Sequence, residues 1–281
     1  MIRLYNGDCL RILKDISSNS VDCIICDLPF GCLSAKPISE EKEQQYGKGR
    51  LTTYMESEWD VPLNLDDFWK EIKRVRKNDH TPTLHFCTTR YGFELYASNP
   101  KEFRYDLVWS KERGVSFLSV NKMPLRSHEM VYVFSKSGSY YNRVDISGNY
   151  KGWETKAGGT QRSQTYHSVD GSPKDADGFY HIPKLSKKGG EGVRSVLSVI
   201  PQKQVIKTGK HPTEKPVDLY KWLLQRYCPA GGTVLDPTFG SCNSGVASKA
   251  LGLNYIGIEK NKDFFDKGKE KLQQNAPTPP G

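Results

Sequence analysis

Two short stretches of the 281-residue chain carry side chains that could do chemistry at the end of a β-strand. Asp27-Leu28-Pro29-Phe30 closes an apolar run through Val21, Cys23, Ile24, Ile25 and Cys26, so a buried strand would deliver a carboxylate, a fixed turn and a flat ring to its carboxyl end. Asp236-Pro237-Thr238-Phe239-Gly240-Ser241 follows a second apolar strand, Thr233-Val234-Leu235. Ligands of open α/β sheets sit beyond the carboxyl ends of the strands, so each stretch would face a ligand. Asp and Pro are also ordinary turn formers, and Asp27-Leu28-Pro29-Phe30 taken alone reads equally as a strand followed by a turn.

The second stretch has more around it. A helix is expected over about Asn243 to Leu251, then a strand Tyr255-Ile256-Gly257-Ile258 ending at Glu259. Strand, glycine-bearing turn, helix, strand and acid is the mononucleotide-binding unit: glycine lets the backbone approach a ligand, the helix start offers unpaired amides, and the acid takes ribose hydroxyls. Such a unit fits any adenosine-containing cofactor. The turn lacks G-x-G-x-x-G, and Asp236 would repel a pyrophosphate while suiting a cation, so a sulfonium or ammonium group is the better guest. A dinucleotide oxidoreductase would share this unit but leave Asp27-Leu28-Pro29-Phe30 unexplained.

The elements that must hold these stretches alternate along the chain. Residues Met1 to Leu13 read as a short strand or turn bearing Gly7-Asp8-Cys9, followed by a helical stretch. Leu65, Phe68, Trp69, Ile72 and Val75 recur at helical spacing behind a capping Asn64. Strands are expected at Thr83 to Cys87, Asp106 to Ser110 and Met130 to Phe134, with a short helix around Tyr91 to Ala97. Pro216 suits a first helical position ahead of the apolar face Val217, Tyr220, Leu223, Leu224 and Tyr227. This alternation predicts an α/β fold with a mostly parallel, doubly wound sheet. The polar stretch Leu33 to Ser57 is expected to be a mobile loop beside the site.

The pattern collapses between Gly138 and Lys210, where 11 glycines, several aromatics and 12 Lys/Arg against 6 Asp/Glu put +6 of the chain's +9 net charge. An ordered, basic, loop-rich region with interleaved aromatics is suited to nucleic acid, although a disordered linker has a related composition. The domain division this predicts is a catalytic half at 1–137, a recognition region at 138–210 and a cofactor half at 211–281. No apolar run reaches the ~20 residues of a membrane span, and the amino terminus lacks a signal-peptide core, so a cytoplasmic protein is expected. Seven cysteines without framework spacing fit a reducing compartment. Cys23 and Cys26 spell C-x-x-C without a second pair, which favours small apolar residues on a buried strand, and no metal is expected.

Taken together, the motifs resemble the S-adenosylmethionine-dependent DNA amino-methyltransferases of the β order, the adenine-N6/cytosine-N4 DNA methylases. In that family a D/N-P-P-Y/F motif comes first, a target-recognition region lies in the middle, and H-P-T-x-K-P precedes D-P-F-x-G-S-G. Asp27 to Phe30, residues 138–210, His211 to Pro216 and Asp236 to Ser241 follow this order over essentially the whole chain. Leu28 stands where the family has proline, and Cys242 stands where it has the last glycine.

The resemblance implies a circularly permuted Rossmann-like methyltransferase fold with S-adenosyl-L-methionine as cofactor and double-stranded DNA as partner. It also implies that Asp27 and the Leu28 carbonyl accept hydrogen bonds from the target amino group of a flipped base, with Pro29 shaping the turn and Phe30 stacking. Adenine is favoured over cytosine, because the cytosine enzymes more often begin the motif with Ser. Cofactor contacts are expected from Asp8, His211, Thr213, Lys215, Asp236, Pro237, Thr238, Phe239, Gly240, Ser241 and Glu259, with Lys215 and Thr213 near the methionine carboxylate or nearby backbone. DNA contacts are expected from Lys122, Arg126, Lys151, Arg162 and Arg194. A homodimer and a cognate restriction endonuclease are compatible with the resemblance, as are action on RNA or protein and a catalytically silent DNA-binding relative.

Overall fold

The computed structural model describes residues 1–29, 62–115, 120–144, 146–147, 193–194, 196–203 and 214–274. The polar stretch expected to form a loop at 33–57 lies outside them. So do Phe30, Lys151, Arg162, His211 and Thr213, while Arg194 is described only as backbone.

In chain order the elements are β1 (Ile2–Asn6), α1 (Cys9–Ile12), β2 (Cys23–Cys26), α2 (Leu65–Val75), β3 (Thr83–Cys87) and α3 (Thr89–Ser98). They continue with β4 (Phe103–Val115), β5 (Arg126–Phe134), β6 (Ile146–Ser147), β7 (Val193–Arg194) and β8 (Val199–Pro201). The last are α4 (Val217–Tyr227), β9 (Thr233–Asp236), α5 (Asn243–Ala250), β10 (Asn254–Glu259) and α6 (Lys262–Gln274). Local chemistry accounts for the boundaries. The Asn64 side chain accepts from Asp67 N at 3.1 Å and starts α2. Pro216, expected as the first helical residue, is the N-cap of α4, which starts one residue later at Val217, and its missing N–H costs nothing there.

Eight strands form one sheet in the order β1-β10-β9-β2-β3-β5-β4-β8. All pairings are parallel except those of β5, which runs antiparallel to both β3 and β4. Every residue of β2 is fully buried, as a strand covered on both faces requires. Its side chains alternate between two cores: Cys23 and Ile25 join the cluster under α4 and α5, and Ile24 and Cys26 join that under α1, α2 and α3. Cys23 and Cys26 therefore sit on opposite faces of the sheet. The permutation shows in the pairing of β1 with β10 along five residues, with the amino-terminal ammonium of Met1 on Asn254 Oδ1 at 2.6 Å. In space β9, β10 and β1 form one parallel run, although β1 comes first in the chain.

The described residues divide into one unit of Met1–Asn142 with Ser198–Gly281 and a second of Arg143–Leu197. Within the second unit β6 and β7 pair antiparallel, Ile146 opposite Arg194. The ends of the stretch at 138–210 belong to the first unit, because backbone bonds draw them there: Tyr140 N to His80 O at 2.8 Å, Asn142 N to Arg226 O at 2.7 Å, and Val108 N to Ser198 O at 2.8 Å. Among the described residues no helix is long and apolar enough to cross a membrane.

Candidate active site

Strands β9 and β2 are neighbours at the centre of the sheet, and their connections depart in opposite directions, β9 toward β10 and β2 toward β3. That is the topological switch point, where a crevice opens at the carboxyl ends. Asp236 ends β9 and Asp27 follows β2, so the two stretches read from the sequence meet there.

At the β9 end, Asp236 is buried, and its Oδ1 accepts from Thr238 N at 3.0 Å and its Oδ2 from Ser244 Oγ at 2.5 Å. The Tyr255 hydroxyl completes the chain, 2.8 Å from Ser244 Oγ. Burial pushes the Asp236 carboxyl up to about 7, against those hydrogen bonds, and the negative charges of Asp27 and Glu259 add to the rise. The turn that follows needs left-handed backbone at Gly240 (φ 50°) and at Cys242 (φ 60°). A non-glycine residue there costs roughly 1–3 kcal/mol of strain. Two glycines accommodate the Cys242 side chain: a Cβ on Gly245 would stand 2.8 Å from its Sγ, and one on Gly268 would stand 2.9 Å from its Cβ.

Glu259 closes the turn from the end of β10, its Oε2 accepting from Gly240 N at 2.9 Å and its Oε1 from Asn261 N at 2.8 Å. Asp8 caps α1 through Leu10 N at 3.0 Å and stands 3.7 Å from the Lys260 ammonium, at the rim beside Glu259. Pro237 is buried, and the Ser241 carbonyl accepts from Lys271 at 3.4 Å. Phe239, expected to face the cofactor, turns into the core with its ring 6.1 Å from that of Phe265. It fits there because Gly257 and Gly268 leave space that a Cβ would fill at 2.8 Å from the ring.

At the β2 end the charges come from afar. The Asp27 carboxylate forms a hydrogen-bonded ion pair with Lys215, whose ammonium also lies 3.7 Å from Glu129 Oε2 and 4.9 Å from the centre of the Phe86 ring. Glu129 Oε1 pairs in turn with Lys111, which sits 4.8 Å over the Trp109 ring. Four alternating charges thus run from Asp27 through Lys215 and Glu129 to Lys111, with no net charge. Lys215 and Lys111 are almost wholly buried, while the Asp27 side chain is 23 % exposed and open to a ligand.

Burial raises the Asp27 carboxyl above its usual range, with Lys215 opposing and Glu129 reinforcing the rise. Burial acts the same way on Glu129, but the ammonium groups of Lys215 and Lys111 outweigh it and hold that carboxyl low. Lys215 is raised, since its two carboxylate neighbours overcome the cost of burying an ammonium.

Neither Lys111 nor Glu129 is marked by the sequence as a partner of Asp27. The antiparallel course of β5 explains their arrival. Running against β3, β5 begins at the carboxyl side of the sheet, and the far end of β4 pairs with it there, Ser110 opposite His128. Lys215, expected near the methionine carboxylate or nearby backbone, has its ammonium on Asp27 and Glu129. Asp27 and the turn after β9 are also joined directly, by Thr238 Oγ1 donating to the Asp27 carbonyl at 3.1 Å.

The DNA methylase family known as N6/N4 matches residues 21–270, a span that includes both strand ends and everything between them. The chain belongs to the N6/N4 DNA methylase family. It is 36% identical over 288 residues to the Type II methyltransferase M2.MboI of Moraxella bovis, covering 98% of this chain and 88% of that one. Among solved structures it resembles the M1.HpyAVI–SAM complex, with a TM-score of 0.55 and 17% identity over 97% of this chain and 99% of that one. It also resembles the cytosine-N4-specific PvuII DNA methyltransferase, with a TM-score of 0.59 and 14% identity over 98% of this chain and 90% of that one.

As an N6/N4 DNA methylase the chain acts on DNA with S-adenosylmethionine, and the donor set fits that cofactor. The buried carboxylate of Asp236 suits a cationic group, and the side-chain Oδ1 of Asn243 is buried without a hydrogen-bond partner among the described residues. Of the residues expected to meet DNA, Lys122 is exposed, and Arg126 at the start of β5 donates to Thr89 Oγ1 at 2.8 Å.

Proposed function

We propose that this N6/N4 DNA methylase transfers a methyl group from S-adenosylmethionine to the exocyclic amino group of a base flipped out of a specific duplex site, and that the base is adenine. The observation that carries the reading is the adjacency of Asp27 and Asp236 at the switch point, joined through Thr238. When bound, the cofactor supplies an electrophilic methyl group on a sulfonium. Asp236 would face its cationic groups, Glu259 would take the ribose hydroxyls, and Asp8 would stand at the rim.

The amino nitrogen of a base is a poor nucleophile because its lone pair is delocalised into the ring. Asp27 would accept a hydrogen bond from one N–H of the amino group and the Leu28 carbonyl one from the other, drawing the nitrogen toward tetrahedral geometry as it attacks the methyl group, and the surplus N–H proton would then pass to Asp27. That role needs Asp27 ionised in a site where burial opposes ionisation, and the Lys215 ammonium is the group that works against burial there. With the base in place, Glu129 offers Lys215 a second anion, so Asp27 can turn to the amino group without stranding a buried cation. Lys122 and Arg126 would hold backbone phosphates near the crevice, and residues 143–197 would supply the remaining contacts needed for flipping.

Adenine is supported by Asp in the first position of the motif with Phe30 in the last. The Type II relative supports a modification role inside the cell beside a cognate restriction endonuclease. The purified protein, incubated with methyl-labelled S-adenosylmethionine and genomic DNA from an unmodified host, is expected to label the DNA, and nucleoside analysis is expected to return N6-methyladenine. N4-methylcytosine would reverse the choice of base, and unlabelled DNA would overturn the reading.

A further inference from the structure

The catalytic turn departs from its family at Leu28, and the structure holds a compensating contact. Proline at that position would fix its own φ and restrict the residue before it, so Asp27 would inherit rigidity from its neighbour. Leu28 supplies neither restraint, although its side chain is buried. The sheet does not supply one either, because β2 pairs with β9 at Cys23 and Ile24 and with β3 as far as Cys26, leaving the Asp27 carbonyl beyond the ladder. The Asp27 carbonyl is instead held by Thr238 Oγ1 at 3.1 Å. Thr238 is anchored in its turn by its own backbone N–H on Asp236 Oδ1 at 3.0 Å. A β-branched side chain is stiff about its first torsion, so the hydroxyl is aimed before any ligand arrives.

We propose that Thr238 is a positioning residue for methyl transfer: its hydroxyl clamps the Asp27–Leu28 peptide and replaces the rigidity that proline would give the catalytic turn. The inference deepens the function proposed above, since it takes Asp27 and the Leu28 carbonyl as the groups that meet the target nitrogen. The hydroxyl has one proton, and that proton is committed to Asp27, so Thr238 acts on the reaction through the catalytic strand end. It also links the two ends of the site, because the Thr238 backbone reports on Asp236 and its side chain on Asp27.

The test compares Thr238→Val, Thr238→Ser, Leu28→Pro and the Leu28→Pro/Thr238→Val double variant. Loss of one positioning hydrogen bond is expected to lower kcat for DNA methylation roughly tenfold in Thr238→Val. Affinity for S-adenosylmethionine should stay within about threefold, because the backbone N–H on Asp236 remains. Thr238→Ser should recover most of the lost turnover, and Leu28→Pro should restore it in the Val background. Amide exchange at Cys26 and Asp27 should quicken in Thr238→Val and slow again with Ser or with the added proline.

Unchanged turnover in Thr238→Val, or a fall in cofactor affinity as large as the fall in kcat, would overturn the clamp. So would a double variant no better than Thr238→Val when Leu28→Pro alone folds. If Leu28→Pro does not fold, the Ser rescue and the exchange rates decide. If the unaltered protein methylates no DNA, the proposed function fails, and the exchange rates still judge the clamp on their own.

Discussion

The two strand ends at the switch point solve the same problem, a carboxylate held under the surface, with partners drawn from different distances along the chain. Asp236 is served locally: its hydrogen bonds come from residues two and eight positions further on, and the glycine turn is closed by Glu259 19 positions after Gly240. Asp27 is served from afar, by Lys215 at a separation of 188 residues and Thr238 at 211. A locally built end can form with its own strand–turn–helix unit. The Asp27 end exists only once five pieces of chain, carrying Asp27, Lys111, Glu129, Lys215 and Thr238, have come together, and it should be the more fragile of the two.

Replacing Asp27 with Ala tests the division most severely. Transfer should fall by at least about 100-fold, as for the loss of a group that meets the developing charge, with cofactor affinity held within a few-fold. Cofactor binding lost in parallel would show that the two ends are one cooperative structure. Lys215→Met comes next, since it strands two carboxylates with only Lys111 as counterion. Removing one member of a buried pair costs about 3–5 kcal/mol, which should appear as a clear drop in Tm as well as in kcat. An unchanged Tm would mean that the alternating charges contribute nothing to holding the fold.

The mildest test addresses the local end through pH. Asp236, raised to about 7 by burial, must be ionised to face a cation, so affinity for S-adenosylmethionine should rise with pH up to about 7 and level off above it. Below that value it should weaken by up to about tenfold per pH unit. Asp236→Asn should bind more weakly and lose this dependence, and titration calorimetry across pH 5.5 to 8.5 would record both. A profile that is flat in the unaltered protein would sharpen the comparison in the opposite sense, leaving the glycine turn and Glu259 as the dominant cofactor contacts.

The same difference in distance explains what could be read from the sequence. The unit from Thr233 to Glu259 was legible because strand, turn, helix and acid occur in order, and the cap at Asn64 and the buried run Cys23 to Cys26 were legible for the same reason. The partners of Asp27 were not. Nothing near Lys111 or Glu129 indicates that an antiparallel β5 will carry them to the carboxyl side of the sheet. The limits of the central region were hidden likewise, because residues 138–142 and 198–203 are composed like an insertion, yet backbone hydrogen bonds, the Tyr141 ring against Tyr227 and the burial of Ile200 hold them to the main unit. The inward turn of Phe239 depends on two glycines, Gly257 and Gly268, whose proximity only the fold creates.

The pairing of β1 with β10 bears on how the molecule assembles. Between β1 and β2, made first, the finished sheet inserts β10, which pairs with β1 across 253 residues of sequence (Ile2 with Tyr255), and β9, which pairs with β2 across 211 (Cys23 with Val234). During synthesis the early strands must wait with open edges, and topologies dominated by such distant contacts fold slowly. The crevice, lined on one side by Asp27 and on the other by Asp236, closes only when β9 takes its place. A nascent chain that has not yet made β9 carries Asp27 with no Asp236 beside it, so in the permuted order the two strand ends meet only after residues 143–197 have already emerged.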